Sequence, residues 1–198
     1  MSLLSQLNEE IACCQDCDLA QHRNRVVPGE GSEKAAILFI GEAPGWHEDQ
    51  QGRPFVGPAG HFLDELLDSI GLSRKDVYIA NVVKCRPPSN RDPLPAEMRA
   101  CRKWLDRQIE IIKPKMIVTL GRYSLAQFFP GDAIGKVRGR ARKKQGMLYY
   151  AMYHPAAALH QQSLRRVIEE DMLRIPSLLA EAEEVEEAEP EAKQLSMF

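Results

Sequence analysis

Ala35-Ala-Ile-Leu-Phe-Ile-Gly-Glu-Ala-Pro-Gly45 is the stretch on which the fold turns. Its apolar half, Ala35–Ile40, is too short for a buried helix and ends on a Gly/Pro turn, so it reads as a strand. Three more short apolar runs share this character: Val77–Val83, Met116–Leu120 and Leu148–Tyr153. Three of the four are nearly continuous, as strands covered on both faces must be. Segments of helical period lie around them. Leu3, Leu7 and Ile11 mark a short amphipathic helix over residues 2–12. Phe62, Leu63, Leu66, Leu67 and Ile70 share a face that Gly71 ends. Met98, Cys101, Leu105, Ile109 and Ile112 share another, between Pro95 and Pro114. Residues 122–129 and 163–175 are also expected to be helical. This alternation predicts a three-layer α/β/α sandwich around a central four-stranded parallel sheet.

Ligands of open α/β sheets bind beyond the carboxyl ends of the strands. Gly41-Glu42-Ala43 follows the first run, Asn81 sits near the end of the second, Gly121-Arg122 follows the third and His154-Pro155 the fourth. A carboxylate, an amide and an imidazole are thus expected on one rim. The Gly41–Gly45 loop lacks the Lys-Ser/Thr of a phosphate cradle and the spacing of a dinucleotide fingerprint, and Glu42 would repel a phosphate. An acid there suits a cation or an oriented water. Phe55 lies in a Gly/Pro-rich loop, Gln51–Gly60, where it can pack on the core or serve as a stacking platform.

The 198 residues suffice for one domain with a sizeable core. No apolar run reaches membrane length, and no basic start with an apolar stretch marks a secretory leader. Residues 1–180 are read as the domain. Residues 181–198 are read as an acidic tail carrying seven of the 28 acidic residues and one of the 26 basic ones. The body is therefore mildly basic, which permits a polyanion partner. The basic run Lys136, Arg138, Arg140, Arg142, Lys143, Lys144 is a candidate for phosphate contacts, with Arg165 further on. The five cysteines, an odd number, point to a reduced, cytoplasmic setting rather than a disulfide framework. Cys14-x-x-Cys17, Cys85 and Cys101 offer four soft ligands, suited to zinc or an iron–sulfur cluster, with Cys13 to spare.

These motifs together resemble the family 4 uracil-DNA glycosylases. The resemblance rests on Cys14-x-x-Cys17, Arg25–Gly31, Gly41–Gly45, Gly52–Gly60, Tyr78–Pro88, Cys101, Lys136–Gly139 and His154-Pro155. It implies a 4Fe–4S cluster on Cys14, Cys17, Cys85 and Cys101. It also implies hydrolysis of the N-glycosidic bond of uracil flipped out of DNA, leaving an abasic site in base excision repair. Uracil is expected to contact Gly41, Glu42, Ala43, Phe55, Asn81 and His154, with Glu42 and His154 catalytic. Related branches carry a histidine that traps the sugar covalently; Pro87–Arg91 has none, so a monofunctional hydrolase is expected. Ala156–Ala158 replace the Ser and Tyr common after His-Pro, which removes a hydroxyl contact to DNA. Glu48 or Asp49 is a candidate to crowd uracil C5, and Leu159 or Leu164 to wedge the duplex from a loop over 160–166. Gln194, Leu195, Met197 and Phe198 resemble the sliding-clamp-binding peptide of bacterial repair proteins. A monomer in a bacterial cytoplasm is expected. A uracil-DNA sensor with little turnover is the alternative, against which Glu42 and His154 speak.

Overall fold

The computed structural model describes residues 2–181; the clamp-peptide residues Gln194, Leu195, Met197 and Phe198 lie outside them. In chain order the elements are α1 (Leu3–Ala12), β1 (Glu30–Gly31), β2 (Ile37–Gly41), α2 (Trp46–Gln51), α3 (Pro58–Ser69), β3 (Tyr78–Asn81), α4 (Pro95–Ile112), β4 (Met116–Leu120), α5 (Arg122–Ala126), α6 (Ile134–Val137), β5 (Ala141–Lys144), β6 (Met147–Met152), α7 (Pro155–His160) and α8 (Ser163–Met172). The sheet order is β1-β3-β2-β4-β6-β5. The four expected strands form its parallel centre, β3-β2-β4-β6.

The sheet has six strands rather than four, because β1 and β5 pair antiparallel at its two edges. β5 is built from Ala-Arg-Lys-Lys, part of the basic run that is a candidate for phosphate contacts. Lysines on an edge strand keep it from pairing with another chain, and so hide it from apolar periodicity.

Alternate residues of the central strands face opposite layers, as a two-residue side-chain period requires. Leu38, Ile40, Tyr78, Ala80 and Ile117 pack with Leu4, Leu7 and Ile11 of α1 and Trp104, Leu105 and Ile112 of α4. Ile37, Phe39, Ile79, Val118 and Met152 pack with Phe62, Leu63, Leu66 and Leu67 of α3 and Ile168 and Met172 of α8. Each fully buried side chain of this size contributes about 1.5–3 kcal/mol of transfer free energy. Helix ends follow local chemistry. Pro58 and Pro95 open α3 and α4, and Gly71 follows α3 with φ +73°. The 160–166 segment is not a long loop: α7 ends at His160 and α8 starts at Ser163. Among the described residues no helix is long and apolar enough to cross a membrane.

Candidate active site

The carboxyl rim of the sheet is assembled by register. Gly41 and Asn81 are direct partners at the ends of β2 and β3. The pairing runs on beyond the strands, with Val82 and Val83 N–H donating to the carbonyls of Gly41 and Glu42 (3.1 and 3.2 Å). On the other side of β2, Leu120 pairs with Met152, which brings Gly121 and His154 together. The chain leaves β2 for a neighbour on one side and then crosses to β4 on the other. The rim above β2 is therefore a topological switch point, where α/β sheets hold ligands.

Space on this rim comes from Gly41. A Cβ there would sit 2.4 Å from Asn81 Oδ1 and 2.7 Å from the Phe55 ring. The amide and the aromatic face thus converge on a gap that any side chain at 41 would fill. Asn81 is 2% exposed, and its Oδ1 has no hydrogen-bond partner among the described residues. A buried acceptor of this kind is costly unless something completes it.

Phe55 is held in a left-handed backbone conformation, φ +53°, uncommon for a residue with a bulky side chain. Two charged groups fix it there. The Arg74 guanidinium donates to the carbonyls of Pro54 (2.8 Å) and Phe55 while paired with Asp64. Glu48 Oε1 accepts from Val56 and Gly57 N–H, both at 2.9 Å, and its Oε2 from Gly45 N–H at 3.0 Å. Glu48 therefore joins the Gly41–Gly45 loop to the Phe55 loop. Gly60 is needed because a Cβ there would meet the Phe55 carbonyl at 1.7 Å.

His154 caps α7, with Nδ1 accepting from Ala156 N–H at 3.1 Å. That bond places the proton of the neutral ring on Nε2. Burial pushes the His154 pKa down to about 4, against a smaller opposing pull from Glu48, so the ring is a neutral donor at physiological pH. Gly121, φ +91°, leaves the ring room; a Cβ would come within 3.2 Å of His154 Cβ. Glu42 is pushed up to about 7, chiefly by burial and further by Asp92, with Arg122 opposing. Asp92, Arg122 and Tyr123 form one hydrogen-bonded group beside it. A carboxyl poised near neutrality suits a base that activates water.

Other expected residues fall into two sets. Lys136 and Arg140 are exposed. Arg138 is paired with Asp171 (2.8 Å), and Arg165 with Glu169 (2.9 Å) and Glu65 while it covers the Phe62 ring. Asp49 is 1% exposed and accepts from Asn24 N–H at 2.9 Å. Glu48 thus spends its oxygens on backbone N–H groups, and Asp49 spends its own on the Asn24 and Arg25 N–H groups and the Asn24 side-chain amide. Leu159 protrudes, whereas Leu164 packs on the core. Sequence reasoning missed Arg74 and the bracing role of Glu48. Glu48 stands three residues after the α2 N-cap Gly45, a spacing that signals a helix-start brace.

Cys14, Cys17, Cys85 and Cys101 line one small cavity between α1, α4 and the segment after β3. Cys13 is exposed and takes no part in the lining. The sulfurs are set up to accept hydrogen bonds. Trp104 Nε1–H donates to Cys14 Sγ (3.3 Å), Arg23 to Cys85 Sγ (3.1 Å) and Lys84 N–H to Cys101 Sγ (3.3 Å). Donors aimed at sulfur favour thiolates, against burial, which pushes the Cys17 and Cys85 thiols up and that of Cys101 up to about 11. Among the described residues no three His, Cys, Asp or Glu groups gather closely enough for a single metal ion. Four cysteine sulfurs around one cavity are a donor set that suits a soft metal centre.

The family model described as "Uracil DNA glycosylase superfamily" matches residues 28–173. The chain is 49% identical to the type-4 uracil-DNA glycosylase of Sulfurisphaera tokodaii, over 90% of this chain and 86% of that protein. It is 47% identical to the type-4 enzyme of Archaeoglobus fulgidus (90% and 94% covered) and 45% identical to that of Thermotoga maritima (89% and 95% covered). The chain belongs to the uracil-DNA glycosylase superfamily, in its type-4 branch.

Proposed function

We propose that the protein excises uracil from DNA at the carboxyl rim of its sheet, by hydrolysis of the N-glycosidic bond. The observation that carries this reading is the buried, unsatisfied Oδ1 of Asn81 facing the gap at Gly41 beside Phe55. Uracil supplies what that gap lacks: a flat face for the ring, an N3–H for Oδ1 and an O4 for the amide N–H₂. Cytosine offers an unprotonated N3 and an amino group instead, which leaves donors and acceptors unpaired and is strongly rejected. Extruding the nucleotide costs a few kcal/mol, least at a mismatch.

As the glycosidic bond stretches, the base becomes an anion and the sugar a cation. The neutral His154 donates from Nε2 to uracil O2 and stabilises the anion, helped by backbone N–H groups of Gly41–Ala43. Glu42 in its carboxylate form orients water and faces the cationic sugar. Such preorganised groups are worth roughly 3–4 kcal/mol each when deleted.

Cys14, Cys17, Cys85 and Cys101 would hold a 4Fe–4S cluster, which when bound supplies a covalent staple for the N-terminal segment, the loop after β3 and α4. Hydrolysis transfers no electron, so Glu42 and His154 do the chemistry. A compartment that keeps thiols reduced, the cytoplasm, suits this cage. Residues 1–180 form the repair domain. The C-terminal peptide of Gln194, Leu195, Met197 and Phe198 tethers it to a sliding clamp; deletion of 194–198 should abolish clamp capture in a pull-down. The deciding assay is single-turnover uracil release by wild type, Glu42→Ala and His154→Ala. A loss below about tenfold in both, roughly 1.4 kcal/mol, would contradict the assigned roles.

A further inference from the structure

Lys84 lies between the cysteine cavity and the end of β3 that carries Asn81. Its side chain is 1% exposed. Nζ donates to the main-chain carbonyl of Asn81 at 2.8 Å and to Gln108 Oε1 at 2.7 Å. Gln108 is itself fixed, its Nε2 donating to the Pro28 carbonyl (2.8 Å) and to Tyr78 Oη (3.3 Å), so its oxygen is the atom left for Lys84. Both acceptors of the ammonium are neutral. Among the described residues no carboxylate pairs with it; burial pushes its pKa down to about 8, and the opposing electrostatic pull comes from the sulfurs of Cys101 and Cys85. The Lys84 main chain also donates to Cys101 Sγ, and the residue lines the cysteine cavity.

A buried cation without an anion is strongly unfavourable. Four thiolates around a 4Fe–4S core carry net negative charge, which is what this ammonium lacks. We propose that Lys84 is a positioning residue that balances the charge of the sulfur cage and at the same time holds the backbone of Asn81, so that the cage and the reading of uracil are coupled. This rests on the cluster assignment made above. The coupling runs over one side chain: cage, Lys84 ammonium, Asn81 carbonyl, Asn81 amide. Loss of the cage charge loosens the ammonium, and with it the strand end that presents Oδ1.

The test is Lys84→Met in the full-length, cluster-loaded protein, which keeps length and apolar bulk and removes charge and donors. Iron and sulfide content of the wild type come first; their absence would sink the cluster assignment itself and the charge-balance proposal with it. In the variant, three quantities are read: visible absorption, midpoint potential by dye titration, and affinity for a duplex carrying a cleavage-resistant 2′-fluorinated deoxyuridine against the same duplex with thymine. Removing a positive charge beside the cage should lower the potential. Affinity for the uracil duplex should fall about tenfold, as for loss of a charged hydrogen bond, with thymine-duplex affinity unchanged. An unchanged potential or an unchanged uracil affinity overturns the proposal, as does equal weakening on both duplexes. Should Lys84→Met not fold, Gln108→Glu gives Lys84 a carboxylate and leaves its bond to Asn81. The potential should then fall as well, and an unchanged potential overturns the charge-balance role.

Discussion

The ring of Phe55 stacks on the imidazole of His154, centroids 5.4 Å apart and planes 23° from parallel. A base inserted between two such rings needs about 7 Å, two van der Waals contacts, so they are one wall of the slot and not two jaws. The Phe55 ring keeps the imidazole in place as part of that wall. Phe55→Leu keeps apolar bulk and loses the plane. Uracil-DNA affinity should drop about tenfold or more, the range for a lost stacking platform, with a further loss in the chemical step as His154 loosens. Arg74→Met attacks the same wall from behind by freeing the Phe55 carbonyl, and should raise KM more than it lowers kcat. Steady-state kinetics on a uracil oligonucleotide separate the two effects.

The pH profile follows from Glu42 and His154. Burial holds Glu42 at about 7; in the proposed role it acts as the carboxylate, so kcat/KM should climb as pH rises through about 7 and level off above it. His154, at about 4, is already neutral and adds no limb between pH 5 and 9. Glu42→Gln should erase the limb and cost about 10²-fold or more. Stability moves the other way. A carboxyl whose pKa is raised on folding is deprotonated first in the unfolded chain, so stability is lost as pH rises from about 4.5 to about 7. Thermal melts of wild type should show that decline, and Glu42→Gln should not. A wild-type rate flat across pH 7 would remove Glu42 from the role of base.

Gly41 gives a sharper test of the pocket, because its backbone is in a conformation open to other residues and only space forbids them. Gly41→Ala would put a methyl 2.4 Å from Asn81 Oδ1 and 2.7 Å from the Phe55 ring. Either the amide or the ring must yield. Uracil release should fall by about two orders of magnitude, from steric and hydrogen-bond losses of roughly 1–3 kcal/mol each. The cysteine cavity lies elsewhere, so iron content should stay at the wild-type level. Rapid-quench kinetics with an iron assay read both.

How much of this was legible in the sequence depends on the distance over which each feature is decided. The central strands, α3, α4 and the gathering of Glu42, Asn81 and His154 on one rim follow from local patterns: apolar runs, helical period, and turns after strands. β5 escaped because its residues are charged, an edge-strand device with no apolar alternation. Arg74, ten residues from Asp64 and twenty from Pro54, carries no local sign of its hold on Phe55. Lys84 reads as one more basic residue beside Cys85; only the packing of α4 and its Gln108 shows that it is buried. Glu48 and Asp49 were visible as acids, but which atoms they bind is settled by loops meeting in space.

The same distinction separates the candidate DNA contacts. Lys136 and Arg140 are exposed, and phosphate contacts by such residues release counterions. Lys136→Ala and Arg140→Ala should each lower the slope of log affinity against log salt by about one, weakening uracil and control duplexes alike. Arg138 and Arg165 are held by carboxylates. Arg138→Ala would strand Asp171, which is 3% exposed and whose carboxyl is already raised by burial, and should cost about 3 kcal/mol of stability. Arg165→Ala removes the cover from Phe62 and two solvent-screened ion pairs, a smaller loss than that of Arg138. Both should lower the melting temperature and leave the salt slope unaltered. A salt titration of binding alongside thermal melts for the four variants decides the matter: a reduced slope for Arg165→Ala at unchanged stability would make that arginine a phosphate contact after all.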